Sequence, residues 1–212
     1  MAKLGRLAAI GGGLVALAGA GIALAAYRER KAEHPDYATI DADDAIEVRD
    51  YPALLVAEAI APGDRLNALN AGFERLADYF AGKRRGPDDD GETVAMTAPV
   101  LSDRTERGQW RTRFILPSHY DAATMPAPGG GVSAAQLPAR RLAAIRFAGS
   151  AGDEALADRE RQLRVWLAQH GYTPEGAAEH AYYNSPFVPP PLRHNELWVP
   201  IALTLAGPAR AV

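Results

Sequence analysis

Two short runs contain residue types that could do chemistry, but neither has the spacing that its chemistry needs. The DDDG run at 88–91 is as acidic as a calcium loop, yet aligning its glycine with the sixth loop position places Gly86 and Thr97 where carboxylates are required. The GSAG run at 149–152 is not a nucleophile elbow, because Ala148 occupies the position of the first glycine. The chain has no cysteine, which excludes disulfides, thiolate metal sites and a cysteine nucleophile.

Methionine and histidine side chains remain as candidate ligands. Met96 could offer a thioether to iron, although packing in the core is its expected role. His194, at the exit of a proline-rich segment, is either a surface residue or an iron ligand. No pair among the five histidines has the spacing of a metalloprotease. The residues alone therefore show no recognisable hydrolytic or metal site, and they leave the metal ligand open.

The proline-rich segment PFVPPPL at 186–192 lies between two apolar stretches with the pattern of strands. Proline lacks the N–H that a sheet ladder needs and has a fixed φ, so three in succession do not fit inside a sheet. The sequence predicts a stiff, polyproline-like loop that holds Phe187 and Val188 at a defined place. Such a rigid apolar loop either covers a core or forms the wall of a pocket.

The first part of the chain differs in composition from the rest. Residues 7–26 are a run of 20 residues without a charge, preceded by Lys3 and Arg6. A helix of that length spans about 30 Å, the thickness of a hydrocarbon core. We therefore predict a membrane anchor at 1–27. The alternative is a secretory signal with ALA at 23–25 as its cleavage site.

The distribution of charge argues against one class of partner. Residues 1–31 carry five basic side chains against Glu29, a net charge of +4, and the whole chain is at −3, so the remainder is at −7. An acidic domain without a basic stripe is a poor candidate for nucleic-acid binding. We expect no nucleic-acid partner.

Hydrophobic periodicity places strands and a helix in the first half of the chain. IEVR at 46–49 alternates as in a half-buried strand, and a second strand is predicted at 54–60. A helix then begins after Asp64 as N-cap and ends at Gly82. Its apolar residues recur at helical spacing: Leu66, Leu69, Phe73, Leu76 and Phe80. Two more strands are predicted at 93–101 and 109–116.

The second half repeats this order. LPA at 137–139 matches YPA at 51–53 at an offset of 86. The elements that follow are a strand at 141–147, a helix at 153–170, and strands at 179–184 and 195–203. Two such units most economically form one antiparallel sheet curved into a barrel, with the helices outside. The predicted fold class is therefore α+β, with two pseudo-symmetric halves that each carry one flanking helix, plus an apolar helix at the N-terminus.

Four separated motifs are similar to the SOUL haem-binding protein family: AMTAPV at 95–100, FILPSHY at 114–120, LPARRLAAIRFAG at 137–149 and YYNSPFVPPPLRHNELWVPI at 182–201. The similarity covers about residues 37–201, in the family's order. It implies a distorted barrel of two pseudo-symmetric halves, in agreement with the repeat. It also implies binding of haem or another tetrapyrrole in a shallow apolar groove between the first helix and the loop that joins the last two strands.

The resemblance makes the proline-rich segment one wall of that groove. Eight residues are candidates for cofactor binding on this basis: Leu69, Phe73 and Leu76 on the first helix, and Phe187, Val188, Pro190, Arg193 and His194 on the loop. The apolar members would flank the macrocycle, Arg193 would pair with a propionate, and His194 would reach iron. The family commonly has a second proline and a tryptophan where this chain has SPF at 185–187, and a frequent arginine in place of His194, so no iron ligand is carried over.

The resulting expectation is a membrane-tethered protein that binds haem or another tetrapyrrole without catalysing a reaction. Its parts would be the anchor or signal at 1–27, a linker at 28–36, the barrel at 37–205 and a tail at 206–212. The domain would lie in the periplasm, held at the inner membrane or released by signal cleavage. Two alternatives stay open: a module that binds other amphipathic effectors, as similar two-fold barrels do, and an enzyme acting on haem or a related substrate. The sequence shows no convergent set of catalytic residues, which counts against the enzyme.

Overall fold

The computed structural model describes residues 32–83 and 91–202 of the chain. The predicted anchor at 1–27, the first residues of the linker and the tail at 206–212 lie outside the described residues. Within the described ranges, neither helix is long and apolar enough to span a bilayer.

The described residues form one antiparallel sheet of nine strands and two α-helices. The strands are β1 Ala38–Asp43, β2 Ile46–Tyr51, β3 Leu54–Ala61, β4 Val100–Arg104, β5 Trp110–Ile115, β6 Ser133–Leu137, β7 Arg140–Phe147, β8 Glu179–Tyr182 and β9 Asn195–Pro200. Helix α1 is Arg65–Phe80 and helix α2 is Asp153–His170, and a short 3-10 turn spans Pro190–Leu192.

Local sequence signals account for the helix boundaries. The Asp64 carboxylate accepts a hydrogen bond from the Asn67 backbone N–H at 3.1 Å, so Asp64 caps α1 as predicted. Helix α2 ends at Gly171, whose φ of 76° is in the left-handed region that glycine adopts without steric cost. The predicted limits of α2, 153–170, are confirmed.

One strand prediction was wrong and one strand was missed. The strand predicted at 93–101 begins only at Val100, because Pro99 has no N–H to give to a ladder. Strand β1 was missed, although its sequence ATIDAD alternates apolar and polar residues; its side chains are almost all exposed, so it has no buried apolar face.

The order of the strands reproduces the repeat. Hydrogen-bonded neighbours follow the order β1-β2-β7-β9-β8-β4-β5-β3-β6. The strands of the two halves correspond as β2 with β6, β3 with β7, β4 with β8 and β5 with β9. Apart from β1, exchanging each strand for its counterpart reverses the order, so the sheet is two-fold symmetric. The first strand of each half pairs with the second strand of the other: β2 with β7, and β6 with β3. Each half therefore completes the sheet of the other.

The predicted barrel was wrong, because the sheet stays open. β1 pairs along the outer side of β2, so the strand edge that would have to meet β6 is already occupied. The described strands end in two separate edges, one at β1 and one at β6.

The two faces of the sheet are buried in different ways. On one face, α1 packs over β3 and β5, and α2 packs over β7 and β9. The other face carries a second core without a helix: Tyr51, Val56, Leu101, Ile115, Leu137, Leu142, Ala144, Ala181 and Trp198. These side chains come from strands across the whole sheet, so their mutual contact requires the sheet to curl around them. This curled face explains why the pattern resembled that of a barrel.

A buried carboxylate on the curled face collects four polar side chains. Glu196 is 2% exposed and accepts hydrogen bonds from Arg49, Tyr183, Trp198 and His194. Burial by itself would raise the pKa of Glu196, but the hydrogen bonds from His194 and Arg49 outweigh it and hold this pKa well below its usual range. We call these five residues the Glu196 cluster.

Helix α1 lies very close to β5 at Gly72. We expect Gly72→Ala to lower the free energy of unfolding by about 1–3 kcal/mol. An added Cβ would lie 2.5 Å from Thr112 Oγ1 and 2.8 Å from Thr112 Cβ, which forces the helix away from the sheet. Chemical denaturation measures the loss, with Asn70→Ala on the exposed side of the same helix as the control for helix propensity. Equal stability of the two variants would contradict the close approach.

The Glu196 cluster generates a second prediction. Glu196→Gln should lower the free energy of unfolding by about 3 kcal/mol, because Arg49 stays buried and loses its buried counter-charge, keeping only the more exposed pair with Glu47. The control is Asp50→Asn, which removes the carboxylate from a more exposed pair with Arg141 and should cost less than about 1 kcal/mol. Urea denaturation at neutral pH compares them, and losses of the same size would contradict a special role for Glu196.

Candidate functional site

One flank of helix α1 is apolar and faces away from the core. Gly72 rests on Thr112 of β5, and Arg75 on one side of that contact donates to the Ile60 carbonyl oxygen of β3 at 3.0 Å. Helical geometry places Leu66, Leu69 and Phe73 on the opposite side. Leu66 is 56% exposed and Phe73 is 41% exposed, with the Phe73 ring edge-on to Phe114 at 5.2 Å. This flank therefore borders the space between the two helices.

The central strands β4 and β8 form the floor of that space. Because α1 packs mainly over β3 and β5 while α2 packs mainly over β7 and β9, the strands between them have less helix cover. Ser102 of β4 pairs in register with both Thr112 and His180, and Val100 pairs with Tyr182. We call this space the interhelical groove, with the α1 flank as one wall and these β4 and β8 residues as its floor.

Arg65 ties the two sides of the groove together. Its guanidinium donates to the Tyr182 hydroxyl at 2.8 Å and to the Ala151 carbonyl oxygen at 2.8 Å, and it forms an ion pair with Asp153. Ala151 and Asp153 lie at the start of α2, so Arg65 joins the N-termini of both helices to β8. Burial raises the pKa of Tyr182, which keeps the hydroxyl protonated.

The floor also holds a buried histidine. Burial, together with the positive charge of Arg65, lowers the pKa of His180 to about 4, so its imidazole is neutral at physiological pH. His180 Nδ1, Ser102 Oγ and Thr112 Oγ1 are buried polar atoms with no hydrogen-bond partner within the described part of the chain. Ser102 and His180 are neighbours that do not bond to each other, so they do not form a nucleophile and base pair.

The proline-rich loop, residues 185–194, follows directly from the floor strand β8. The Pro190 carbonyl oxygen accepts from the Gly149 N–H at 2.9 Å, which fixes the loop beside the segment that leads to α2. Phe187 is 75% exposed and Leu192 is 74% exposed, whereas Val188 is buried. The loop thus has one apolar anchor and two exposed apolar tips.

Arg193 holds the loop in shape. Its Nε donates to the Val188 carbonyl oxygen at 2.7 Å and its Nη2 donates to the Pro186 carbonyl oxygen at 2.8 Å. Two of the five N–H donors of the guanidinium are therefore used within the loop itself. The stiffness predicted from the prolines has a second source in this side chain.

His194 is bound at the base of the loop. Its ring stacks on Tyr183 with centroids 3.9 Å apart, and its Nε2 lies 2.9 Å from Glu196 Oε1. Its backbone N–H donates to Asn184 Oδ1 at 2.6 Å. Iron ligation through Nε2 would require His194 to leave Glu196.

The structure brings some of the eight predicted residues to the groove and places others in the core. Leu69 and Phe73 lie on the groove flank of α1, and Phe187 and Pro190 are exposed on the loop. Leu76 and Val188 are buried in the core. Met96, expected in the core, is 42% exposed.

Sequence reasoning missed Arg65, His180 and Tyr182. The period-two alternation of β8 could have placed His180 and Tyr182 on one face, but no local signal indicates that an arginine at a helix start is buried. Among the described residues, no group of three or more histidine, aspartate or glutamate side chains is arranged to hold a metal ion.

Similar solved structures share the fold at low sequence identity. The crystal structure of the EcmrR C-terminal domain has a TM-score of 0.56 at 10% identity, covering 74% of this chain and 96% of that one. The cryo-EM structure of an EcmrR–DNA complex has a TM-score of 0.53 at 12% identity, covering 92% of this chain and 69% of that one. A hydrolase from Listeria innocua has a TM-score of 0.50 at 12% identity, covering 74% and 91%. Identities this low show the fold alone.

No curated protein has a significantly similar sequence. The family model described as SOUL heme-binding protein matches residues 32–200. This range contains every described strand, both described helices and the proline-rich loop. Because the match spans more than half of the chain, the protein belongs to the SOUL heme-binding protein family.

Proposed function

We propose that this protein binds haem or a related tetrapyrrole in the interhelical groove and carries or buffers it without catalysis. Family membership carries the proposal, and the exposed apolar flank of α1 and the exposed apolar tips of the stiff loop would be the two walls of the site. A macrocycle has two large apolar faces, and burying them between such walls is favourable by roughly 25 cal/mol per Å².

The loop is suited to this role because it is held in place by its own contacts. The Arg193 bonds to the loop carbonyls and the Gly149 bond to Pro190 order the backbone before any ligand arrives. A preordered wall loses little conformational entropy on binding, which favours affinity. Leu69, Phe73, Phe187 and Pro190 would contact the macrocycle, and Leu76 and Val188 would support these contacts from the core.

The polar ends of the ligand have candidate partners near the loop. Two N–H groups of the Arg193 guanidinium hold the loop, and its remaining donors would pair with a propionate. His180 is neutral and buried, and His194 is bound to Glu196. We therefore propose that burial of the macrocycle, rather than iron ligation, supplies most of the affinity.

A second candidate is a module that binds other amphipathic small molecules in the same groove. His180 and His194 favour this candidate, because the His180 imidazole is buried and the His194 imidazole is bound to Glu196, so neither is free to bind iron. An enzyme acting on haem or a related substrate has less support: the hydrolase among the similar structures supports only the fold, and Ser102 and His180 are not hydrogen-bonded.

The proposed location is the periplasmic side of the inner membrane. The uncharged run at 7–26 would act as a single-pass anchor, or as a signal that is cleaved. The basic residues Lys3 and Arg6 would keep the N-terminus in the cytoplasm, although Arg28, Arg30 and Lys31 on the far side oppose this orientation.

Ligand binding tests the groove directly. In a spectroscopic titration of the full chain, Phe187→Asp should weaken binding of haem and of metal-free porphyrin alike, by about 2 kcal/mol or roughly 30-fold, because a charge would face the macrocycle. His194→Ala should alter the haem absorption spectrum more than the affinity.

The matched control is Val165→Asp, at an apolar position 53% exposed on the outer side of α2. It should leave both titrations unchanged. Haem binding that survives Phe187→Asp would place the pocket elsewhere. Absence of specific tetrapyrrole binding would favour the module for other amphipathic molecules.

Fractionation tests the location. In a bacterial host, we expect the full chain in the membrane fraction, and protease added to intact spheroplasts should digest the domain. Complete protection from protease would reverse the proposed orientation, and recovery of a shortened soluble chain would favour signal cleavage.

A further inference from the structure

A second concavity lies outside the interhelical groove. It has a volume of about 320 Å³ and lies between residues 33–36, the β2–β3 connection at 52–55, and residues 115–120 that follow β5. Its lining includes none of the groove residues described above. Its volume is at the lower end of the range for small-molecule sites. We call it the N-terminal cavity.

The inner wall of the N-terminal cavity is apolar. Buried Leu116 and half-buried Leu55 belong to the core cluster under α1, whereas Ile115 and Leu54 belong to the core of the curled face, so the cavity lies at an edge shared by the two cores. The Tyr120 ring is half-buried at the same cavity. A ligand with an apolar body would remove this surface from water, and that burial is favourable.

The charge at the cavity has a single sign. Of its lining residues within the described chain, Glu33 and Asp36 are acidic and none is lysine or arginine. His34 also lines the cavity, but burial and the neighbouring His194 lower the pKa of its imidazole, so His34 is neutral at physiological pH. The two negative charges are therefore not offset by any side chain that lines the site.

The acidic wall is fixed by hydrogen bonds. The Ala98 N–H donates to the Glu33 carbonyl oxygen at 2.9 Å, and the Ser118 N–H donates to Glu33 Oε1 at 2.6 Å. Thr97, which lines the cavity, donates to the Ile115 carbonyl oxygen at 2.6 Å. Three separate segments are thus joined around the space, so a ligand would order little of the protein on binding.

We propose that the N-terminal cavity is a second binding site, for a small organic cation that consists of an amine and an apolar body. The apolar body packs against Leu55 and Leu116, which belong to the same core cluster as Tyr120, and the ammonium lies at Asp36 and Glu33, where the Tyr120 ring offers a further favourable contact. This site goes beyond the proposed tetrapyrrole binding and is independent of it. Both carboxylates repel an anion. A neutral molecule of the same shape gains only the free energy of burying its apolar surface.

The test uses the full chain and three probes of similar shape: benzylamine as the cation, benzyl alcohol as the neutral analogue and benzoate as the anion. We expect saturable benzylamine binding in calorimetry, with NMR shift changes at the amides of Leu55, Ala98 and Ser118. Benzyl alcohol should bind about fivefold more weakly, and benzoate should not bind.

Two variants and a control locate the site. Asp36→Asn should weaken benzylamine binding about two- to fivefold. Ala53→Trp should abolish it by filling the cavity. Glu106→Gln, which removes an exposed acid in the β4–β5 turn, should leave it unchanged. Because Asp36 is exposed and its substitution keeps the fold, the Asp36 result stands even if Ala53→Trp does not fold.

Three results would overturn the proposal: equal affinity for benzylamine and benzyl alcohol, shift changes confined to other residues, or no saturable binding. The haem titration separates this site from the groove. A folded Ala53→Trp chain that loses benzylamine and still binds haem supports two sites, whereas loss of haem binding in the same variant would contradict their independence.

Discussion

The fold depends on one constraint: a sheet with two apolar faces is covered by helices on one face only. Each of the two described helices covers two strands, so α1 and α2 leave the central strands β4 and β8 between them. The other face buries its side chains by curling, with Trp198, Leu142 and Leu101 in contact across the sheet. The groove and the curled core therefore have the same cause: two helices are too few to cover both faces of a nine-stranded sheet.

Charged side chains on the curled face are buried with their partners. Besides the Glu196 cluster, six ionic residues form a network there: Glu58, Asp103, Arg111, Arg113, Arg140 and Glu179. Three guanidinium groups face three carboxylates, so the network carries no net charge. A charge buried without a partner costs several kcal/mol. Each strand that contributes to these groups is consequently held in one register.

The Glu196 cluster links this interior to both sites. His194 is the last residue of the proline-rich loop, and Tyr183 lies just before the loop. The His34 ring, which borders the N-terminal cavity, lies edge-on to Tyr183 at 5.5 Å. Glu196 is thus connected through two rings to the loop and to the segment where the described chain begins. The loop is stiff because its prolines restrict φ, because Arg193 holds its carbonyls, and because its base is attached to a buried carboxylate.

Features that depend on residues close together in the chain were predictable from the amino-acid sequence. The cap at Asp64, the limits of α2 and the offset of 86 between the halves follow from periodicity, capping and repetition, which are local signals. Family membership rests on such motifs as well.

Which side chains are available to bind a ligand depends on how the elements pack in three dimensions. Leu76 and Phe73 recur at the same helical spacing, yet Leu76 is fully buried and Phe73 faces the groove. Arg193 is hydrogen-bonded within the loop, and His194 is hydrogen-bonded to Glu196. Strand β1 keeps the sheet open because it occupies the edge of β2. The physical reason is the same in each case: exposure, hydrogen bonding and strand pairing depend on partners that are distant in the sequence, and local patterns carry no information about them.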